Sequence, residues 1–210
     1  AYRATGSGEN TLNDIDLHIR SGETIGIIGA MDIEVQTLIG ALTETRRLTR
    51  ASMEFHEGTI GGAQVVVVKS GVAKVNAGIC VQILADVFHV THIINTGAAG
   101  SLDAKINIGD IVLSTDACYH DVDATIFGYR PGEVPQLGRL EFPADGALCC
   151  EMEGAAVAQV AVQNGIPFVV IRAISDKADG SDVVDYPTFE KKAAHDCAAL
   201  VQGFLEKAGH

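Results

Sequence analysis

A chain of 210 residues, 47% hydrophobic and 20% charged, has the size of about one domain and enough apolar content to fill a core, which excludes a disordered or fibrous protein. Its 27 acidic against 15 basic residues leave a formal charge of -12, which would repel a nucleic-acid backbone and an anionic lipid leaflet alike. The apolar runs are far shorter than the ~20 residues of a spanning helix and no basic-then-apolar leader opens the chain, so neither nucleic acid nor membrane is an expected partner and the cytoplasm is the expected address.

Residues 1–23 read as an atypical N-terminal extension ahead of a domain over 24–210. Leu12, Ile15, Leu17 and Ile19 alternate in part, and Ser21-Gly22 supplies a turn, which predicts an antiparallel strand before the first buried one. The stretch TLNDIDLHIRSGETIGIIG resembles the strand pair that leads into the phosphate loop of ABC-transporter ATPases, over about the first 29 residues only. The chain then reads AMDIEVQT, without the Gly-rich loop and its Lys and Ser or Thr, so no triphosphate cradle is expected.

Thr24–Gly29, Val65–Lys69, His92–Thr96, Asp110–Ser114 and Pro167–Ile174 are short β-branched runs without clean polar alternation, which suits strands covered on both faces. Helices are predicted between them, around Ile33–Leu42, Lys74–Phe88, Glu153–Asn164 and Phe189–Lys207, with Gly165 as a C-terminal stop. This alternation is that of an α/β fold in a single layered domain. The proline-rich stretch Tyr129–Gly146 reads as a loop. Cys80, Cys118, Cys149, Cys150 and Cys197 are odd in number and lack zinc or redox spacing, so they are expected reduced and mostly buried.

Ligands of open parallel sheets collect at the carboxyl ends of the strands, so the residues just after each run are the informative ones. They are Ala30-Met31-Asp32-Ile33-Glu34, Ser70-Gly71-Val72, Gly97-Ala98-Ala99-Gly100 and Ser175-Asp176. The Gly97–Gly100 segment allows close backbone approach but is not a dinucleotide fingerprint. Glu34 and Asp176 would bring two carboxylates from distant segments to one pocket, the arrangement needed when one group activates water and another protonates a leaving group.

Taken together, GIIGAMDIEV, KSGVAKVNA, INTGAAGSL, IGDIVLSTDACYHDVDATIFGY, EMEGAAVAQVA and PFVVIRAISDKAD occur in this order. The set closely resembles the 5'-methylthioadenosine/S-adenosylhomocysteine nucleosidase family of the nucleoside phosphorylase superfamily, from about Thr24 to the C-terminus. The resemblance implies a three-layer sandwich around a mixed, largely parallel sheet. It also implies hydrolysis of the bond between adenine and the thioribose of methylthioadenosine or S-adenosylhomocysteine, with no metal and no organic cofactor.

Carried over residue by residue, the resemblance makes Glu34 the base that deprotonates water, with Arg172 and Ser70 supporting that water. Asp176 protonates adenine N7 as the base departs, Ser175 orients it, and Glu153 binds the ribose hydroxyls. Met31 and Met152 pack against the sugar, Val72 lines the 5' pocket, and Ala98, Ala99 and Gly100 offer backbone to the substrate. A homodimer is implied, in which the neighbouring subunit completes the 5' pocket from the segment holding Val122, Phe127, Tyr129 and Pro135.

The chain departs from the family near residues 146–147. Between PADG and ALCC, family members carry a further helix and strand, including an SGD segment whose aromatic residue stacks on adenine. Two alternatives to the nucleosidase reading therefore stand beside it: a catalytically impaired nucleoside-binding member, and a purine nucleoside phosphorylase. Phosphorolysis needs fixed cationic donors, and the loop after the first strand instead presents AMDIE, whose Glu34 repels an anion.

Overall fold

The computed structural model describes residues 22–136, 147–178 and 186–208. Four parallel strands form its middle: β1 (Thr24–Gly29) lies between β4 (Ala63–Lys69) and β5 (His92–Ser101), and β5 pairs on its other side with β8 (Phe168–Lys177). Antiparallel strands extend both sides. β2 (Thr43–Arg50) and β3 (Met53–Ile60) run outward from β4, and β6 (Ile111–Leu113) closes the far edge on β8. The order is β2-β3-β4-β1-β5-β8-β6, with β7 (Cys149–Cys150) joined antiparallel to the end of β5.

The run VVVV in β4 explains the layering. Successive side chains point to opposite faces, so Val65 and Val67 join Ile25 and Ile27 under α1 (Asp32–Ala41) and α4 (Tyr186–Ala208). Val66 and Val68 join Ile28 and Phe55 under α2 (Lys74–Phe88) and α3 (Gly154–Gln163). Two helices on each face of a mixed sheet make the three-layer sandwich that the family resemblance implies and bear out the α/β alternation read from the sequence. The four helices begin and end within three residues of their predicted limits, and Gly165 takes the left-handed conformation (φ +67°) just past α3.

Three expectations are corrected. The strands β2 and β3 were not foreseen: β2 is TETRRLTR, an exposed edge strand whose charged side chains protect its free edge and erase the apolar signal. The segment Gly97-Ala98-Ala99-Gly100, expected just after a strand, is the second half of β5, and Ser175-Asp176 likewise belongs to β8. The parallel ladder between them continues from Ile93 opposite Phe168 to Ser101 opposite Lys177, with a shift in register between Ala99 and Gly100. Pairing here overrides the low strand propensity of Gly and Ala. The cysteines are free, but only Cys80 and Cys197 are buried, while Cys150 is exposed. The strand expected within 1–23 and most of the loop expected over 129–146 lie outside the described residues; 129–136 carry turns without regular structure.

Candidate active site

Glu34 is placed by the start of α1. The helix leaves N–H groups at its start without internal partners, and the Glu34 side chain turns back to the N-cap and the residue before it: Oε2 accepts the N–H of Met31 at 3.0 Å and that of Ala30 at 2.6 Å. Oε1 accepts the N–H of Ala98 in β5 at 3.1 Å, which ties α1 to the sheet. The residue is 4% exposed. Three of the carboxylate's roughly four acceptor positions are thus filled by backbone donors, which leaves it one for another partner.

Asp176 meets the same strand two residues further on. It stands opposite Gly100 in the β5–β8 ladder, and a Cβ on Gly100 would lie 2.8 Å from Asp176 Oδ1, so glycine makes room for the carboxylate. The buried Ser175 hydroxyl donates to Asp176 Oδ2 at 2.7 Å. Two residues of strand span roughly 6.5 Å. Glu34 and Asp176 are therefore held on neighbouring stations of one strand, by different elements.

Arg172, 3% exposed in β8, is the cation of this cluster. Its Nη2 donates to Asn95 Oδ1 at 2.7 Å and to Glu151 Oε2 at 2.5 Å, and lies 3.8 Å from Glu153 Oε2. Glu153 in turn accepts the N–H of Ala73 at 2.7 Å, which brings the Ser70–Ala73 turn against the start of α3. Burial pushes the Glu153 carboxyl above the usual carboxylate range; the Ala73 N–H opposes that rise, and the Glu151 charge adds to it. Burial acts on Glu151 too, but the charge and hydrogen bond of Arg172, with the N–H groups of Glu153 and Gly154, hold its carboxyl below that range.

The remaining candidates stand around this cluster. Ser70 is buried and its hydroxyl donates to the carbonyls of Gly71 at 2.8 Å and Gly29 at 3.4 Å, so it is bonded to backbone. Met31 is half-buried, while Val72 and Met152 are 43% and 58% exposed. Beside them opens a cavity of about 500 Å³, the size of a small-ligand site, bordered by Lys74, Asp116, Tyr119, Met152, Glu153 and Arg172. Glu34 and Asp176 are not in its lining. Val122, Phe127, Tyr129 and Pro135 are not in its lining either; their segment is fastened by the Lys74–Asp121 ion pair and by the Gly132 N–H to the Val122 carbonyl at 2.8 Å. Among the described residues no group of three His, Cys, Asp or Glu could hold a metal ion.

Sequence reasoning passed over two residues that the geometry makes central, Asn95 and Glu151. Asn95 is wholly buried and also donates to the Ile28 carbonyl at 3.1 Å, so it links β1, β5 and Arg172. The available signal was the pair of glutamates in EMEG: an i, i+2 spacing in extended chain sends both carboxylates to one side.

The phosphorylase superfamily model matches the chain over residues 24–148 and 135–206. The 5'-methylthioadenosine/S-adenosylhomocysteine nucleosidase of Halalkalibacterium halodurans is 38% identical over 228 positions, covering 88% of this chain and 99% of that protein. The enzyme of the same name from Shewanella oneidensis is 38% identical over 227 positions, covering 87% and 96%. Among solved structures, the nucleosidase of Colwellia psychrerythraea in complex with adenine superposes with a TM-score of 0.82 at 34% identity, over 91% of this chain and 98% of that one. The Streptococcus pneumoniae nucleosidase with a transition-state inhibitor gives 0.78 at 32% identity, over 87% and 98%. With sequence identity, coverage and fold in agreement, this chain belongs to the 5'-methylthioadenosine/S-adenosylhomocysteine nucleosidases of the phosphorylase superfamily.

Proposed function

We propose that the chain hydrolyses the N-glycosidic bond of 5'-methylthioadenosine and S-adenosylhomocysteine, releasing adenine and the thioribose product. The observation that carries this reading is the placing of Glu34 and Asp176 against β5, one at the Ala98 N–H and one opposite Gly100. Adenine leaves poorly as an anion, so an acid at its N7 and a base for water are the two groups the reaction needs.

In this reading Glu34 takes the proton of the attacking water through its remaining acceptor position, with Arg172 supplying positive charge nearby and Ser70 shaping the turn. Asp176 delivers a proton to N7, oriented by the Ser175 hydroxyl. Glu153 receives the ribose hydroxyls, Met31 and Met152 cover the sugar, Val72 borders the 5' substituent, and the backbone of Ala98, Ala99 and Gly100 faces the substrate. The chain acts as a homodimer, the partner contributing the segment of Val122, Phe127, Tyr129 and Pro135. It works in the cytoplasm; no helix among the described residues is long and apolar enough to cross a membrane.

A second reading, nucleoside binding without turnover, is favoured by two observations. The 228 aligned positions of the Halalkalibacterium relative span only 88% of these 210 residues, so about 40 of its positions face nothing here, and the family model matches in two stretches that meet over 135–148. Both support a family block missing near residues 146–147. Incubation with methylthioadenosine, with and without phosphate, tests these readings. Adenine and the free thioribose in phosphate-free buffer are expected. Saturable binding without adenine supports the second reading, and a sugar 1-phosphate would require the phosphorylase reading.

A further inference from the structure

We propose that Glu151 is a positioning residue for the hydrolysis proposed above, on which the reaction it serves depends: its one carboxylate fixes both the Arg172 guanidinium and the backbone that carries Glu153. The two anchored groups come from different elements, Arg172 from the middle of β8 and Glu153 from the N-cap of α3. Glu151 is the side chain that holds them in one geometry.

All three of its hydrogen-bond partners are donors, and the Gly154 N–H is shared between its two oxygens. Oε2 accepts Arg172 Nη2 at 2.5 Å, the Glu153 N–H at 2.9 Å and the Gly154 N–H at 2.8 Å, and Oε1 accepts the Gly154 N–H at 2.7 Å. An ionised carboxylate, which only accepts, is the side-chain group that answers such a ring. It also stands where the partial positive charge of the α3 N-terminus favours an anion. Gly154 completes the fit, since a Cβ there would come within 2.5 Å of Oε1.

What this accomplishes follows from the competition for Arg172. Three carboxylates, Glu34, Glu151 and Glu153, surround one guanidinium. Glu151 makes the direct bond and Glu153 stays 3.8 Å away, which leaves Glu153 bonded to the Ala73 N–H and open toward the cavity. Without Glu151, Arg172 has an unobstructed partner in Glu153, and a collapsed Arg172–Glu153 pair would take the proposed ribose ligand out of its place. The other amino group, Nη1, would swing with it, away from the space above Gly97 that it shares with Glu34.

The test combines crystal structures and kinetics of Glu151→Ala and Glu151→Gln. In Glu151→Ala the expected result is direct contact between Arg172 and Glu153 and loss of the Ala73 bond. With it, kcat/KM for methylthioadenosine falls about 10- to 100-fold, the range for losing hydrogen bonds to a charged group, and KM rises as well as kcat falling. A residue that served folding alone would lower Tm and leave KM as it was. Glu151→Gln keeps the shape if the alanine variant does not fold; its amide brings N–H groups into a ring of donors, so the same rise in KM is expected with a smaller loss of Tm. Arg172 and Glu153 displaced by less than about 0.5 Å, or an unchanged KM in the folded variant, would overturn the proposal. If the unsubstituted chain releases no adenine, the hydrolysis reading fails by itself, and the crystal structures still decide whether Glu151 holds these two groups.

Discussion

The carboxylate of Glu34 fills the space that a side chain on Gly97 would occupy: a Cβ there would lie 2.3 Å from Oε1 and 2.8 Å from the carboxyl carbon. Arg172 Nη1 borders the same space at 3.0 Å. This glycine, expected just past the end of a strand, is the point on β5 where an acid from α1 and a cation from β8 converge.

Gly97→Ala is therefore expected to drive Glu34 from its bond to the Ala98 N–H while the fold persists. Overpacking a tight site costs about 1–3 kcal/mol, and for a chain of this size each kcal/mol lowers Tm by about 2–4 °C. Turnover should fall by a factor of 100 or more, in the range for losing a positioned base. Scanning calorimetry beside an adenine-release assay checks both. Normal turnover in a folded variant would show that the position of Glu34 is immaterial.

Replacing the carboxylates directly separates their roles. Glu34→Gln should remove the proton acceptor and Asp176→Asn the proton donor, each lowering kcat by about 10²- to 10⁴-fold with far less effect on affinity for methylthioadenosine. Stopped assays with calorimetric titration of the same samples give the two quantities. Near-wild-type turnover in either variant would remove the role assigned to that residue.

Much of this arrangement is legible in the chain, and the exceptions have physical causes. Val65–Val68 read correctly as a strand covered twice, because both faces of β4 are buried. Glu34 and Arg172 stand in motifs whose order points to the family. β2 escaped notice because an exposed edge strand has no apolar pattern. The strand character of Gly97–Gly100 arises from β8 on one side and Cys149–Cys150 on the other, neither of which is local in sequence. Glu151 was overlooked beside Glu153 for the same reason: its importance depends on Arg172, which lies 21 residues on and reaches it only through the sheet.

The pair of half-buried Glu151 and buried Arg172 sets an expectation for acid stability. The folded state holds the Glu151 carboxyl below its ordinary value, so the pair contributes stability that is present above that ordinary value and is lost as pH falls through the lowered one. Glu153 has the opposite sign, since its raised value in the fold favours the protonated form and costs stability as pH rises through it. Glu151→Gln should thus cost most near neutral pH, about 3–5 kcal/mol for a buried charge left without its partner, and progressively less toward acid. Urea unfolding of the variant and the unsubstituted protein across the acid range measures this. A difference that did not shrink on acidification would show that Glu151 is not ionised in the fold.

The last prediction concerns association. Thr125–Phe127 form a single 3-10 turn that presents Ile126 at 86% and Phe127 at 78% exposure, with Tyr129 half-buried two residues on. At about 25 cal/mol per Å² of apolar surface, covering two side chains of this size contributes several kcal/mol to any contact that buries them, and interface cores are enriched in such aromatics. Their place on the segment fastened through Lys74–Asp121, two residues that line the cavity, suits the proposed subunit that reaches toward its neighbour's 5' pocket. Phe127→Asp combined with Tyr129→Asp puts two charges at that contact and is expected to convert a dimer into monomers by light scattering at micromolar concentration. The same variant should raise KM for methylthioadenosine if, as proposed, each site takes side chains from its partner. An unsubstituted chain that is already monomeric under these conditions, or a monomeric variant with unchanged KM, would show that Phe127 and Tyr129 take no part in the pocket.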